Sequence, residues 1–100
     1  RYDTVTGEGT RFNSSGGATS GDQFPGSVRA LAQSGDTLWV GGNSGLWRYN
    51  TVTGAGTLFT SSSGPATSGQ QMPSNLVNTL HEFNGILWVG FGGAGLWRYD

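Results

Sequence analysis

The chain lacks several of the side chains on which metal binding and catalysis most often depend. Its 100 residues include no cysteine and no lysine, and His81 is the single histidine. Without cysteine there are no disulfides and no thiolate ligands, and one histidine cannot make a zinc site. The acidic residues Asp22, Asp36 and Glu82 do not have the spacing of a calcium loop. We therefore expect no metal site and no cofactor.

Charge is equally sparse. Charged residues make up 11% of the chain, and five arginines against six acidic residues give a net charge of −1. No basic stripe is present to neutralise phosphates, so we expect no nucleic-acid partner. Apolar runs such as Ile86 to Val89 are too short to cross a bilayer, so we expect no membrane insertion. The low charge and the loops rich in Ser, Thr and Gly favour an extracellular or periplasmic location. The start at Arg1, without an initiator Met, indicates a trimmed or excerpted chain.

Glycine and aromatic residues, in contrast, are abundant. Glycine accounts for 19 residues and the aromatic residues for 12% of the chain, with four tryptophans among them. This glycine content is typical of many short strands joined by turns, and the compact aromatic clusters argue against a disordered chain. At this length we expect one structural unit rather than two independent cores.

The aromatic clusters belong to an internal repeat of about 48 to 50 residues. The segment from Arg1 to Phe12 recurs as Arg48 to Phe59. Three shorter matches follow in the same order: Ala18-Thr19-Ser20-Gly21 with Ala66-Thr67-Ser68-Gly69, Leu38-Trp39-Val40-Gly41 with Leu87-Trp88-Val89-Gly90, and Gly45-Leu46-Trp47-Arg48-Tyr49 with Gly95-Leu96-Trp97-Arg98-Tyr99. The chain is therefore one duplication, with repeat 1 at residues 1–47 and repeat 2 at residues 48–100, and we expect strands to be shared across the ends.

Each period contains strand patterns separated by turn residues. The predicted strands are Val28 to Gln33, Thr37 to Gly41, Leu46 to Asn50 and Thr57 to Thr60 in the first copy, and Leu76 to Phe83, Ile86 to Phe91 and Leu96 to Asp100 in the second. A four-stranded sheet with two apolar faces buries both only when further sheets stack on either side, as they do in a propeller. The sequence therefore predicts an all-β fold, a β-propeller with two four-stranded antiparallel blade repeats.

The second copy lacks a fourth strand, and a copy of that strand lies near the N-terminus, where Thr10 to Phe12 matches Thr57 to Phe59. One chain cannot close a ring, because propellers hold roughly four to eight blades. We therefore expect the blades to be completed by other chains or by a longer parent, so that the partners are copies of the chain or adjoining blades. Leu38 to Val40 and Leu87 to Val89 are predicted to form the contacts between blades.

The second copy also contains a series of motifs in a fixed order. These are Pro73-Ser74-Asn75-Leu76-Val77, Gly85-Ile86-Leu87-Trp88-Val89-Gly90 and Gly95-Leu96-Trp97-Arg98-Tyr99-Asp100. The series resembles the propeller repeats in the sensor regions of hybrid two-component regulators, and the resemblance covers nearly all of the chain. The first copy departs from it at Gly26, where the family has Ser. The resemblance implies a blade fold in a periplasmic ligand-sensing domain. It implies no activity, because the matching positions are architectural.

Four strand residues are the candidates for contact with a ligand: Trp47, Trp97, Arg48 and Arg98. The tryptophan rings could stack on a sugar, and the arginines could bind an anion. The alternative is packing between blades for the tryptophans and a structural ion pair or cation–π contact for the arginines. Asn13 begins the sequon Asn13-Ser14-Ser15 and is the candidate glycosylation site.

No catalytic residue is predicted. His81 lies beside Glu82, but the first copy has Ala32 at the position of this histidine, and the chain contains no nucleophile elbow. Long loops at residues 13–27 and 60–75 favour binding instead, because loops of this length often carry function. We expect a non-catalytic module for ligand binding or assembly. The alternatives are a self-assembling scaffold or filament subunit and a carbohydrate-binding lectin of tandem blades.

Overall fold

The computed structural model describes residues 1, 5–7, 9, 11–12, 15–24, 26–61 and 72–100. The predicted all-β fold is confirmed, since every regular element in these residues is a strand. The strands are β1 (Ser20–Gly21), β2 (Val28–Ser34), β3 (Thr37–Gly42), β4 (Gly45–Asn50), β5 (Ala55–Phe59), β6 (Val77–Phe83), β7 (Ile86–Phe91) and β8 (Gly95–Tyr99). The predicted strands β2 to β8 therefore agree with the structure to within two residues at each end.

The first sheet contains five strands in the order β1-β5-β4-β3-β2. Strands β2 to β5 form an antiparallel meander, as apolar alternation and turn residues predict. Asn50 ends β4, and its Oδ1 accepts hydrogen bonds from the amides of Val52 and Thr53 at 2.8 and 2.9 Å. This side-chain-to-backbone turn reverses the chain into β5. The boundary between the sequence repeats, at residues 47 and 48, lies inside β4, so repeats and sheets are offset along the chain.

The second sheet contains the antiparallel strands β6, β7 and β8 in that order. Its β6–β7 turn is Asn84-Gly85, with φ angles of 53° and 80°, which suits a tight hairpin. The pairing of β6 with β7 shifts register between Val77 and Thr79, and the pairing of β2 with β3 shifts at the corresponding place, between Val28 and Ala30. The three-stranded units β2–β4 and β6–β8 therefore fold alike, down to the same irregularity.

Each sheet has two faces, which we name after the adjacent residues Arg and Tyr in the repeated motif Gly-Leu-Trp-Arg-Tyr. The Arg face carries Arg48 in the first sheet and Arg98 in the second. The Tyr face carries Tyr49 in the first sheet and Tyr99 in the second. Side chains alternate between the faces along each strand, so the two residues of each pair point in opposite directions.

The two sheets stack with the Arg face of the first against the Tyr face of the second. Trp39 and Phe59 of the first sheet meet Tyr99 of the second, with ring centroids 6.0 and 5.2 Å apart. Gly41 allows close approach here, because any Cβ on this glycine would collide with Val77. The buried residues of this core cluster are Trp39, Leu46, Phe59, Met72, Val77, Leu80, Leu87, Val89, Phe91 and Trp97.

A smaller cluster lies on the opposite side of the first sheet. Its buried members are Phe24, Val40, Trp47 and Tyr49, and Phe12 packs against them. Phe12 and Phe24 come from the segment that precedes β2, so this segment lies across the Tyr face of the first sheet.

The predicted architecture needs one correction. The first sheet is not purely antiparallel four-stranded, because β1 adds to its edge and runs parallel to β5. Of the residues predicted to form contacts between blades, Trp39, Leu87 and Val89 lie in the contact between the sheets. Leu38 and Val40 lie in the cluster on the opposite side of the first sheet. Trp88 points out of the second sheet and is 36% exposed, because no other sheet covers that face in the described part of the chain.

Candidate functional site

The four residues predicted to face a ligand do not form one site. Trp47 and Trp97 point to the Tyr faces, whereas Arg48 and Arg98 point to the Arg faces of the same strands. In addition, each sheet carries one tryptophan and one arginine of this set, because Trp47 and Arg48 lie in β4 and Trp97 and Arg98 lie in β8. The chain therefore presents faces with repeated chemistry rather than a single cluster.

Trp47 is packed among aromatic neighbours. It is 2% exposed, and its ring stacks on Tyr49 with centroids 5.1 Å apart and planes 24° apart. Phe12 and Phe24 approach the same ring at 6.1 and 5.9 Å. The indole Nε1 donates to the backbone oxygen of Asp22 at 2.8 Å. A buried indole needs such a partner for its N–H, and here that bond ties the segment before β2 to the sheet.

Trp97 repeats the stacked arrangement in the second sheet. Its ring lies on Tyr99 with centroids 5.5 Å apart and planes 25° apart, and it is buried in the contact between the sheets. Neither Trp47 nor Trp97 has an open ring face on which a sugar could stack in this structure. Both contribute to packing.

The arginines of the two Arg faces have different partners. The guanidinium carbon of Arg48 lies 5.9 Å from the ring centroid of Trp39 and 5.5 Å from that of Phe59, a cation–π arrangement. Arg98 forms an ion pair with Asp100 instead, with an Nε–Oδ1 distance of 3.1 Å, and both side chains are more than half exposed. An exposed pair of this kind contributes little to stability. Arg48 also borders a surface cavity of about 330 Å³ with Thr37, Asn50 and Thr57.

A larger cavity of about 450 Å³ opens on the Tyr face of the first sheet. Its walls are mostly aromatic and aliphatic, and they include Phe12, Phe24, Val28, Leu31, Leu38, Val40, Trp47 and Tyr49. Sequence reasoning did not select Phe12, Phe24, Val28 or Leu31 for a site. The signal was present in the repeat, because Val28 and Leu31 hold the same register positions as the buried residues Val77 and Leu80.

The polar residues that were considered for chemistry lie apart from this cavity. His81 stacks near Phe83 on the Arg face of the second sheet, with centroids 6.5 Å apart. Glu82 accepts a hydrogen bond from the amide of Gly85 at 2.8 Å and so supports the β6–β7 turn. Among the described residues, no three His, Cys, Asp or Glu side chains gather as a metal would require. The candidate glycosylation residue Asn13 lies outside the described residues.

The described residues contain no helix with the length and apolar character needed to cross a membrane. Comparison of the chain with protein-family models, with curated proteins and with solved structures finds no match.

Proposed function

We propose that the chain is a non-catalytic β-propeller module whose sheet faces bind further repeats of the same kind. The role is assembly, and the binding surfaces are the Arg face of the second sheet and the Tyr face of the first. Both lie on the outside of the two-sheet stack.

One observation carries the proposal: large apolar residues exposed on the outer faces are repeat counterparts of residues buried between the sheets. Leu96 is 67% exposed, and its counterpart Leu46 is 0% exposed. Val28 is 55% exposed, and its counterpart Val77 is 0% exposed. Leu31 and Trp88 are likewise exposed, with buried counterparts in Leu80 and Trp39. Exposed apolar patches of this kind mark surfaces that bind other proteins.

The internal stack supports this choice of partner. An Arg face and a Tyr face already pack together within the chain, through Trp39, Leu46 and Gly41 on one side and Val77, Leu80 and Tyr99 on the other. The outer faces repeat several of these residues at the same register positions, among them Trp88 and Leu96 on the second sheet and Val28 and Leu31 on the first. They differ where Ala30 and Ala32 pack against the core, since the second sheet has Thr79 and His81 at those positions. A further repeat could therefore pack its Tyr face on the second sheet or its Arg face on the first sheet, in the way that the two sheets of the chain pack on each other.

A carbohydrate-binding role has less support, because Trp47 and Trp97 are buried. For catalysis, the contacts that the described residues give to His81 and Glu82 are with an aromatic neighbour and a turn amide.

A fusion of two copies tests the proposal. If the second copy begins at Thr4 directly after Asp100 of the first, the junction reads Arg98-Tyr99-Asp100-Thr4-Val5-Thr6-Gly7 and reproduces the sequence from Arg48 to Gly54 with one Asn-to-Asp change. Leu31→Glu in the first copy of the fusion, and in the single copy used for comparison, keeps separate molecules from associating through the Tyr face of the first sheet. We expect this fusion to unfold in a single transition at a higher temperature than the single copy, because repeat arrays gain a stabilising contact with each added neighbour.

The matched variants of the fusion carry Leu96→Glu in one copy only. In the first copy this substitution lies at the junction between copies and should abolish the gain in unfolding temperature. In the second copy it lies at the free end and should leave the gain in place. Unfolding of the fusion at the temperature of a single copy would show that the faces do not bind repeats.

A further inference from the structure

The outer Arg face of the second sheet and the outer Tyr face of the first sheet repeat several residues of the two faces that pack together within the chain. We propose that separate copies of this chain assemble head to tail, with the Arg face of one chain's second sheet docked on the Tyr face of the next chain's first sheet. This inference rests on the proposed function and adds to it the identity of the partner and the mode of docking.

Phe12 provides the first line of argument. Its ring meets Tyr49 edge to face, with centroids 5.0 Å apart and planes 79° apart. Phe59, its repeat counterpart, meets Tyr99 with centroids 5.2 Å apart and planes 81° apart. Phe59 ends β5, the fourth strand of the antiparallel meander in the first sheet, and it contacts the Tyr face of the sheet stacked on it. Phe12 therefore occupies the place where the last strand of a preceding sheet would present its own phenylalanine.

The cavity of about 450 Å³ lies beside Phe12, at the position that the other strands of such a sheet would cover. Phe12 borders the cavity on one side, and Val28, Leu31 and Val40 form its floor. In the internal stack, the residues at the corresponding positions are Val77, Leu80 and Val89, and the Arg face of the first sheet covers all three. An Arg face with Trp and Leu at the same spacing would therefore cover the floor of the cavity.

The second sheet of another copy supplies such a face. Trp88 and Leu96 point outwards there, as Trp39 and Leu46 do in the internal stack. Gly90 holds the register position of Gly41, and the side chain of Thr79 lies over it. Docking by the same geometry would bring Trp88 against Phe12 and Tyr49, as Trp39 lies against Phe59 and Tyr99. Arg98 would then lie near Trp88 and Phe12, in the arrangement that Arg48 has with Trp39 and Phe59.

Backbone hydrogen bonding points to the same partner. In the described part of the second sheet, β8 pairs with β7 along one edge and has no strand along the other. In the first sheet the equivalent strand, β4, pairs on its far edge with β5, which contains Thr57 to Phe59. The docked arrangement places Arg11 and Phe12 of the next chain beside β8, where they complete its ladder. An exposed strand edge is a ready site for pairing of this kind.

The contact joins two different surfaces, so it is heterologous, and such contacts build closed rings or open filaments. A ring of about two to four chains corresponds to the roughly four to eight blades of known propellers.

Complementary variants test this mode of assembly. Leu96→Glu disables the docking face of the second sheet, and Leu31→Glu disables the receiving face of the first. Both leucines are more than half exposed, so each variant should fold, which circular dichroism checks. Val52→Glu is the matched control, because Val52 is 72% exposed in the turn after β4 and lies on neither face.

Light scattering after size exclusion gives the mass of each sample. We expect multimers for the unmodified chain and for the Val52→Glu variant, and the single-chain mass of 10.4 kDa for Leu31→Glu and for Leu96→Glu alone. An equimolar mixture of the last two should give a particle of two chains and nothing larger, because only one intact docking face meets one intact receiving face.

Hydrogen exchange on that two-chain particle tests the strand completion. Peptides that cover β8 should exchange more slowly in the particle than in either variant alone. Unchanged exchange in β8 would refute the strand pairing.

The remaining outcomes separate this inference from the proposed function. A single-chain mass for the unmodified protein, or multimers that survive both leucine substitutions, would overturn head-to-tail assembly. If the fusion of two copies nevertheless gains stability, the proposed function stands and only assembly of separate chains is wrong. If the fusion gains none, both fail.

Discussion

Leu46 and Leu96 are the same residue at the same point of the repeat, yet one is fully buried and the other is 67% exposed. Truncation of each leucine to alanine therefore measures how much contact with the stacked sheet contributes to the free energy of unfolding. A fully buried leucine replaced by alanine costs about 2 to 5 kcal/mol of unfolding free energy, because the transfer term and the cavity term add. Leu96 keeps about a third of its burial, and a third of the roughly 1.5 to 3 kcal/mol for a fully buried leucine is about 0.5 to 1 kcal/mol.

We expect Leu46→Ala to lose about 3 kcal/mol and Leu96→Ala to lose less than about 1 kcal/mol. Both should be measured in a Leu31→Glu background, so that association between chains does not bury Leu96. With a denaturant slope of about 1.5 kcal/mol per molar urea, the Leu46 variant should unfold about 2 M earlier than its parent. Equal losses at the two positions would refute the reasoning, since they would show that the outer face of the second sheet is covered within a single chain.

Three further predictions concern local features of the fold. Gly41→Ala should destabilise the chain by about 1 to 3 kcal/mol in urea unfolding, because its Cβ would collide with Val77 between the sheets. Gly16→Ala is the control, since nothing lies within 4 Å of a Cβ at that position, and a loss as large as that at Gly41 would contradict the steric account. Asn50→Ala should cost about 1 kcal/mol, because two turn amides lose their acceptor, and a neutral result would show that water replaces it fully. Asp100→Asn should change stability by less than about 0.5 kcal/mol at low and at high salt, because its ion pair is exposed, and a larger, salt-dependent loss would disprove this.

The strands and their turns could be predicted from the sequence because they depend on local chemistry. Alternating apolar residues and turn glycines are enough to place β2 to β8. β1 was missed because Ser20 and Gly21 carry no apolar pattern. This strand exists through backbone hydrogen bonds to β5, more than thirty residues further along the chain.

Which face of a sheet is covered could not be predicted, because the two copies have the same local sequence. Trp39 and Trp88 both lie in Leu-Trp-Val-Gly, but in the described part of the chain a sheet is stacked on the Arg face of the first sheet and not on that of the second. The arginines differ for a similar reason. Arg48 lies over Phe59 of the neighbouring strand β5, whereas Arg98 on β8 has no such strand beside it in the described residues and pairs with Asp100.

The strand β1 makes the outer edge of the first sheet removable. Two residues pair with β5, and the bonds around them run from the amides of Thr19 and Asp22 to the oxygens of Gly54 and Gly56, both at 2.7 Å. All the residues from Thr19 to Asp22 are exposed, so little apolar contact opposes their release. The bond from the indole Nε1 of Trp47 to the backbone oxygen of Asp22 is a further interaction that opening at Asp22 must break. Segments with few buried contacts open locally at low free energy while the rest of the molecule stays folded.

When β1 opens, the amides and carbonyls of β5 that it covered meet solvent as a bare edge. The carboxylate of Asp22, which accepts from the amide of Leu58 at 2.8 Å, leaves with it, so the edge also loses a negative charge. The amides of Thr19 and Asp22 should therefore exchange with solvent long before those of β3 and β4. During each such opening the edge of β5 is available to pair with a foreign strand, so we expect the closed form of β1 to limit aggregation at this edge.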